Sequence, residues 1–215
     1  MTFLGKFIIK IYIWATDQLY HSFAWAYDFV AWLVSFGNWS NWRMDTLQYL
    51  QSGNVLEIGF GTGALISEMT GRQYDVYGLE LSPQMQKVTR RRARVEGISL
   101  KIIQAKAQAL PFSERKFNNI ISTFPSNYIF DDDTFKEIKR VLTIDGRVVI
   151  TGFGVLFKSG IKNWLTGWFL NKGSDSFIKA FSQRAEELGF NPNLVQHQGN
   201  TYTLSIIILE KENDS

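Results

Sequence analysis

The sequence predicts an α/β fold, a mostly parallel β-sheet with helices on both faces. Three observations carry this. Short apolar runs recur at 54–58, 76–80, 100–104, 118–124 and 147–151. Helical patterns separate several of them, and Gly53, Pro125 and Asp145-Gly146 punctuate the series. Strands alternating with helices mean βαβ units and a parallel sheet. Right-handed crossovers then put helices on both faces.

Each element has a local reason. Asn54-Val55-Leu56-Glu57-Ile58 is an apolar run that ends in Gly59-Phe60-Gly61-Thr62-Gly63, and a helical pattern follows from Ala64 to Thr70. Val76 to Glu80 reads as the second strand. Pro83 opens a helix through Arg94, because proline suits the first helical turn. Leu100 to Gln104 is a third strand, and Asn118 to Phe124 a fourth that Pro125 stops. Asp131 to Leu142 is a helix, and Asp145-Gly146 turns the chain into the strand Arg147 to Thr151. Gly154 to Gly173 is apolar, aromatic and irregular. Ser174 to Leu188 is helical, with Gly189 as its stop signal. Leu194 to His197 and Thr201 to Glu210 form a hairpin around Gln198-Gly199-Asn200.

The chain has 215 residues, the size of one domain of roughly 100–200 residues. We therefore expect a single domain over 1–215: N-terminal aromatic helices (1–50), a core (51–152), an aromatic insertion (153–173), and a C-terminal helix and hairpin (174–215). Hydrophobic residues make up 45% and charged residues 20%, enough for a packed core. The absence of cysteine excludes disulfides, thiolate metal sites and a cysteine nucleophile. Only His21 and His197 are present, so a multi-histidine metal site is excluded and no metal is expected. The net charge of +3 and pI near 9.0 are mildly basic, and they do not by themselves imply nucleic acid.

Aromatic residues reach 15%, and the tryptophans cluster. Trp14, Trp25, Trp32, Trp39 and Trp42 precede the core; Trp164 and Trp168 follow it. A membrane-spanning helix needs about 20 apolar residues, and Lys6, Lys10, Asp17 and Asp28 break every such run. Lys10 also interrupts any signal-peptide stretch. The remaining reading is amphipathic helices. Phe7, Ile8, Ile11, Tyr12 and Ala15 share one face, suited to packing as a lid or to lying in a membrane interface. A cytoplasmic protein, with the alternative of peripheral contact on the inner membrane face, is expected.

The glycine loop carries the chemistry. Glycine allows positive φ and close approach of backbone to a ligand. The helix that follows aims free N–H groups and a positive dipole end at that ligand. Glu80 ends the second strand about 20 residues after the first glycine, where an acid bonds ribose hydroxyls in nucleotide-binding sheets. Gly59-x-Gly61-x-x-Ala64 formally fits a dinucleotide. Glu57, however, would sit near a pyrophosphate, where its charge is unwelcome. It suits an ammonium group, and S-adenosyl-L-methionine offers an ammonium, a ribose and no phosphate.

Four ordered segments carry a family resemblance. Val55 to Gly63 resembles the first signature of class I S-adenosylmethionine-dependent methyltransferases, and Gly78-Leu79-Glu80-Leu81-Ser82-Pro83 the second. Ala105 to Phe112 resembles their adenine-side segment, and Phe117 to Pro125 their fourth strand. Phe23-Ala24-Trp25-Ala26-Tyr27-Asp28, Ser35-Phe36-Gly37 and Trp42-Arg43 resemble the segment before the sheet in the ubiquinone/menaquinone-biosynthesis C-methyltransferase group. The resemblance implies a Rossmann-like seven-stranded sheet with an antiparallel C-terminal hairpin. It also implies S-adenosyl-L-methionine as cofactor. Glu57, Gly59, Phe60, Gly61 and Gly63 would meet it from the first loop, Glu80 and Leu81 from the second, and Ala107 and Thr123 from later segments. Tyr27 would lie over its methionine part. Lys106 departs from the pattern, which has an aspartate there to accept from the adenine amino group; lysine cannot accept.

Other features narrow the reaction. Ser122-Thr123-Phe124-Pro125-Ser126 replaces the Asn/Asp-Pro-Pro-aromatic tetrad of amino-group methylation. No tyrosine has a lysine four residues on, as a short-chain dehydrogenase would want. Lys87, Arg90, Arg91, Arg92 and Arg94 read as a solvated helix face, with nucleic acid or anionic lipid as the alternative. Asp131, Asp132 and Asp133 read as an N-cap. Trp25, Trp32, Phe153, Phe157, Trp164 and Trp168 are candidates to wall an apolar pocket. The expectation is methyl transfer to carbon or oxygen of a hydrophobic small molecule or lipid-like acceptor, with His21, Asp28 and Tyr128 as candidate bases. The alternatives are a non-catalytic, membrane-associated protein of the same fold, and an NAD-binding oxidoreductase.

Overall fold

A computed structural model describes residues 27–160 and 174–212. The amphipathic stretch at 7–15, His21, Trp25, Trp164 and Trp168 lie outside the described residues. Along the chain come α1 (Tyr27–Val34), α2 (Trp39–Thr46), a 3-10 turn (Leu47–Tyr49), β1 (Val55–Ile58) and α3 (Ala64–Gly71). Then follow β2 (Val76–Leu79), α4 (Pro83–Glu96), β3 (Lys101–Ile103), β4 (Phe117–Thr123) and a 3-10 turn (Asn127–Phe130). The last elements are α5 (Asp132–Val141), β5 (Leu142–Phe157), α6 (Ser174–Glu187), β6 (Phe190–Gln198) and β7 (Tyr202–Lys211).

The strands form one seven-stranded sheet in the order β3-β2-β1-β4-β5-β7-β6. β1 to β5 pair in parallel, and β7 runs antiparallel to both β5 and β6. The order reverses beside β1, so the carboxyl ends of β1 and β4 diverge there and leave a crevice for a ligand.

Alternation along the strands builds two apolar layers. Leu56, Ile58, Ile120, Val148, Ile150, Ile207 and Leu209 pack with Phe135 and Ile138 of α5 and Ile178, Phe181 and Ala185 of α6. On the opposite face, Val55 and Ile121 meet Leu47, Leu65, Ile66 and Met69. Val149, Ile206 and Ile208 meet Trp42 of α2. Trp42 is fully buried, between the rings of Phe124, Phe157 and Tyr202. α2 is thus a layer of the core, not a detachable lid.

Local signals place the helix ends. Ser82 caps α4 by accepting from the Met85 N–H, with Pro83 at the first position. Asp131 caps α5 by accepting from the Asp133 N–H, as the acidic triplet predicts. Pro192 is tolerated in β6 because that strand is a sheet edge.

The aromatic insertion needs correction. β5 does not stop at Thr151 but runs to Phe157, so 153–157 belong to the sheet. A bulge between Thr151 and Val155 breaks its register against β7. Phe153, within that bulge, packs on the α5–α6 face, whereas Phe157 joins Trp42 on the other. These two phenylalanines therefore do not wall one pocket.

Trp42→Ala should destabilise the fold by about 3–5 kcal/mol, read from equilibrium urea unfolding. Because the Trp42 ring packs against Trp39, Phe124, Phe157 and Tyr202 at once, collapse around the void should be small.

Candidate functional site

The glycine loop turns at the carboxyl end of β1. Gly63 adopts φ +76° as the N-cap of α3, and a Cβ there would stand 2.3 Å from the Thr89 methyl. That position needs both left-handed backbone and close packing on α4. Gly61 is the contrast: a Cβ there meets nothing within 4 Å, so its open side faces the space a ligand would use. Gly59 passes close over the Tyr128 hydroxyl.

Glu80 holds this loop to the end of β2. One of its carboxylate oxygens accepts from the Gly61 N–H at 3.0 Å and the other from the Ser82 N–H at 2.8 Å. Burial raises its carboxyl above the ordinary range, opposed by N–H bonds from Ser82, Gly61 and Leu81. A carboxylate offers about four acceptor sites, so these bonds do not exhaust it. Leu81, the next residue, is 54% exposed, an apolar platform at the strand end.

Glu57 is the second acid, 2% exposed on β1. Its Oε2 has no hydrogen-bond partner. Burial pushes its carboxyl up to about 8, against the pull of Arg43 and with the push of Glu80. A cavity of about 30 Å³ opens beside it, lined by Trp39, Arg43, Phe60, Thr62, Thr123 and the loop glycines. A buried, unpartnered acid facing a small cavity fits an ammonium group, which would supply the missing donor and charge.

The remaining predicted residues fall at different distances from this centre. Thr123 and Phe60 both line the cavity, and Phe60 also belongs to the buried cluster with Leu65 and Ile66. Ala107 is buried, and Lys106 is exposed beside it with its carbonyl accepting from the Ala109 N–H. Tyr27 opens α1, its side chain outside the described part. Asp28 is drawn to the loop, where it accepts from the Thr62 hydroxyl at 2.7 Å and pairs with Arg92 of α4. Tyr128 donates to the Ile58 carbonyl at 3.0 Å and lies 2.8 Å from the Ser122 hydroxyl. Both candidate bases therefore brace the loop. Among the described residues, no group of three or more His, Asp or Glu side chains could hold a metal ion.

Arg43 and Trp39 are the site residues that motif reading leaves out. They stand four apart on α2, hence on one helix face, and that face looks over the β1–β4 crevice. Trp39 packs on Phe124 at 4.1 Å. Phe124 has φ +52°, a strained conformation for a bulky residue. Gly152 makes room for it: a Cβ there would lie 2.7 Å from the Phe124 Cα. Arg43 leaves only one sequence trace, its place after Trp42.

Comparison with known proteins agrees with this geometry. Residues 55–146 match the family model described as a methyltransferase domain. The resemblance to the class I methyltransferases, read from four ordered segments, holds. The ubiquinone/menaquinone biosynthesis C-methyltransferase UbiE of Edwardsiella ictaluri is 34% identical over 145 residues, 63% of this chain and 58% of that protein. UbiE of Geotalea uraniireducens is 26% identical over 156 residues, 66% of each. The chain thus spans 58–66% of the length of these relatives. In fold, this chain is similar to geranyl diphosphate C-methyltransferase of Streptomyces coelicolor A3(2) (TM-score 0.57, 15% identity, 80% of each chain). It is also similar to the PH0226 protein of Pyrococcus horikoshii OT3 (TM-score 0.58, 17% identity, 79% of this chain and 90% of that one).

Glu57 gives a pH signature. Its folded carboxyl, near 8, binds a proton more tightly than the ordinary 4.5 of the unfolded chain. Between these values the native state holds the extra proton, so stability is full below about 4.5 and is lost as pH rises through about 8. Urea unfolding across this window should show that decline, and Glu57→Gln should flatten it.

Proposed function

We propose that this chain is an S-adenosylmethionine-dependent methyltransferase acting on a hydrophobic small-molecule or lipid-like acceptor, at carbon or oxygen. The observation that carries the cofactor is the orphaned Oε2 of buried Glu57 in a cavity at the glycine loop. Glu57 would take the amino group, Glu80 the ribose hydroxyls, and Leu81 one face of the adenine. Arg43, on the cavity wall, would neutralise the carboxylate at the methionine end.

When bound, S-adenosylmethionine supplies a methyl group already activated on a sulfonium. The chain's part is then to hold the acceptor in line and exclude water. Trp39 and Phe124 wall the carboxyl end of β4 with aromatic surface, suited to an apolar acceptor. The relatives support this class: ubiquinone/menaquinone biosynthesis C-methyltransferases by sequence, and a geranyl diphosphate C-methyltransferase by fold. An acceptor of this kind would be met at a membrane surface, and peripheral attachment there completes the reading. Asp28 and Tyr128, whose oxygens are engaged, would act as braces, and His21 is the remaining candidate base.

Calorimetric titration with S-adenosylhomocysteine, with NAD as control, tests the assignment. Micromolar binding of the first alone is expected. It should tighten as pH rises through about 8, because an ammonium pairs with the ionised Glu57. Glu57→Gln should remove that pH dependence. Binding of NAD alone would favour an oxidoreductase, and binding of neither would favour a non-catalytic relative. Lys106→Asp, which restores an acceptor at the adenine edge, should tighten S-adenosylhomocysteine binding several-fold in the same titration.

A further inference from the structure

α1 turns an apolar face to solvent. Phe29, Trp32, Leu33 and Val34 are each 51–64% exposed, and Phe36 in the following turn is 40% exposed. Phe29 and Trp32 stack with ring centroids 6.2 Å apart, so they present one aromatic block. Clustered exposed apolar surface marks a partner or membrane contact, unlike scattered single residues.

The charges beside it indicate which. Asp28, at the start of α1, pairs with Arg92 of α4 at 2.5 Å. That contact sets the basic helix alongside the apolar one. Lys87, Arg90, Arg91 and Arg94 of α4 are all exposed. Val95, three residues on from Arg92 and so on the same side, is 82% exposed. A nucleic acid would use the cations and leave the phenylalanine, leucine and valine side chains unsatisfied. An anionic bilayer uses both: aromatic and aliphatic groups enter the headgroup–acyl boundary while cations meet lipid phosphates.

We propose that the exposed face of α1 and the basic face of α4 form one docking surface for an anionic lipid membrane. This rests on the peripheral attachment in the functional reading and assigns it a surface, and vesicle binding tests it separately from cofactor binding.

The test is co-flotation of the full chain with vesicles of phosphatidylcholine alone and of equimolar phosphatidylcholine and phosphatidylglycerol. Binding is expected to the anionic vesicles and to weaken as salt rises. Two double variants, Phe29→Ser with Trp32→Ser and Lys87→Glu with Arg91→Glu, should each lower it by about tenfold or more. All four side chains are exposed, and matching thermal midpoints would establish that both variants fold. Absence of vesicle binding overturns the proposal, as does equal binding to both vesicle types. Wild-type binding by the two variants overturns it too, since membrane affinity would then reside elsewhere in the chain. A wild-type dimer that Phe29→Ser with Trp32→Ser makes monomeric would assign the α1 face to self-association, also against the proposal.

Discussion

The carboxylate of Glu80 joins two loops that the backbone alone would leave apart. The glycine loop after β1 and the turn after β2 both present N–H groups with no strand partner. One buried acid accepts from each, at Gly61 and at Ser82. The same residue's carbonyl accepts from the Gln86 side chain, tying α4 to the strand end. Thr89 of that helix then reaches back to the Gly61 carbonyl. The loop is thus held from below and from one side before any ligand arrives. Such preorganisation lowers the ordering cost of binding.

Glu57 is held in the opposite condition. Its neighbour Glu80 has N–H donors to satisfy it; Glu57 has burial, an unpartnered oxygen, and a cation on α2 that only partly offsets the cost. A buried acid of this kind persists when the rest of the fold over-determines it. Here β1 lies between β2 and β4 in the sheet, and Val55, Leu56 and Ile58 around the acid are all buried. The stability of the sheet therefore holds in place an acid whose burial is costly by itself. Two acids of one residue type, a short distance apart in space, take different roles because their surroundings differ.

The N-terminal helices link site and surface. α2 buries Trp42 in the sheet while its other residues Trp39 and Arg43 wall the cavity. α1 holds the glycine loop through Asp28 and Thr62, and its far side is apolar and exposed. Residues that dock the helices on the core are thus distinct from residues that meet solvent. One short segment can serve the cavity on one side and a membrane on the other.

Much of this was legible in the linear chain because its signals are local. The period change at Gly53, the glycine loop, Pro83 and the Asp131–Asp133 cap each act within a few residues, and the parallel sheet follows from their order. Glu57 and Glu80 were readable as ligand-facing acids because strand ends at a glycine loop have a fixed relation to its ligand. Other features needed tertiary structure. The extension of β5 to Phe157 depends on pairing with β7, some 45 residues on in the sheet register. Phe153 and Phe157 face opposite layers because a bulge lies between them, and nothing in Gly152-Phe153-Gly154 announces which way the chain turns. Arg43 meets Glu57 only because α2 crosses the sheet. Asp28 and Tyr128 look like free bases in sequence, and it is the packed loop that engages their oxygens. The sequence by itself determined the order of elements and the chemistry of the glycine loop, since both rest on short-range backbone preference. Tertiary structure decided which side chains converge and which are already spent, because convergence depends on contacts between segments that no local pattern encodes.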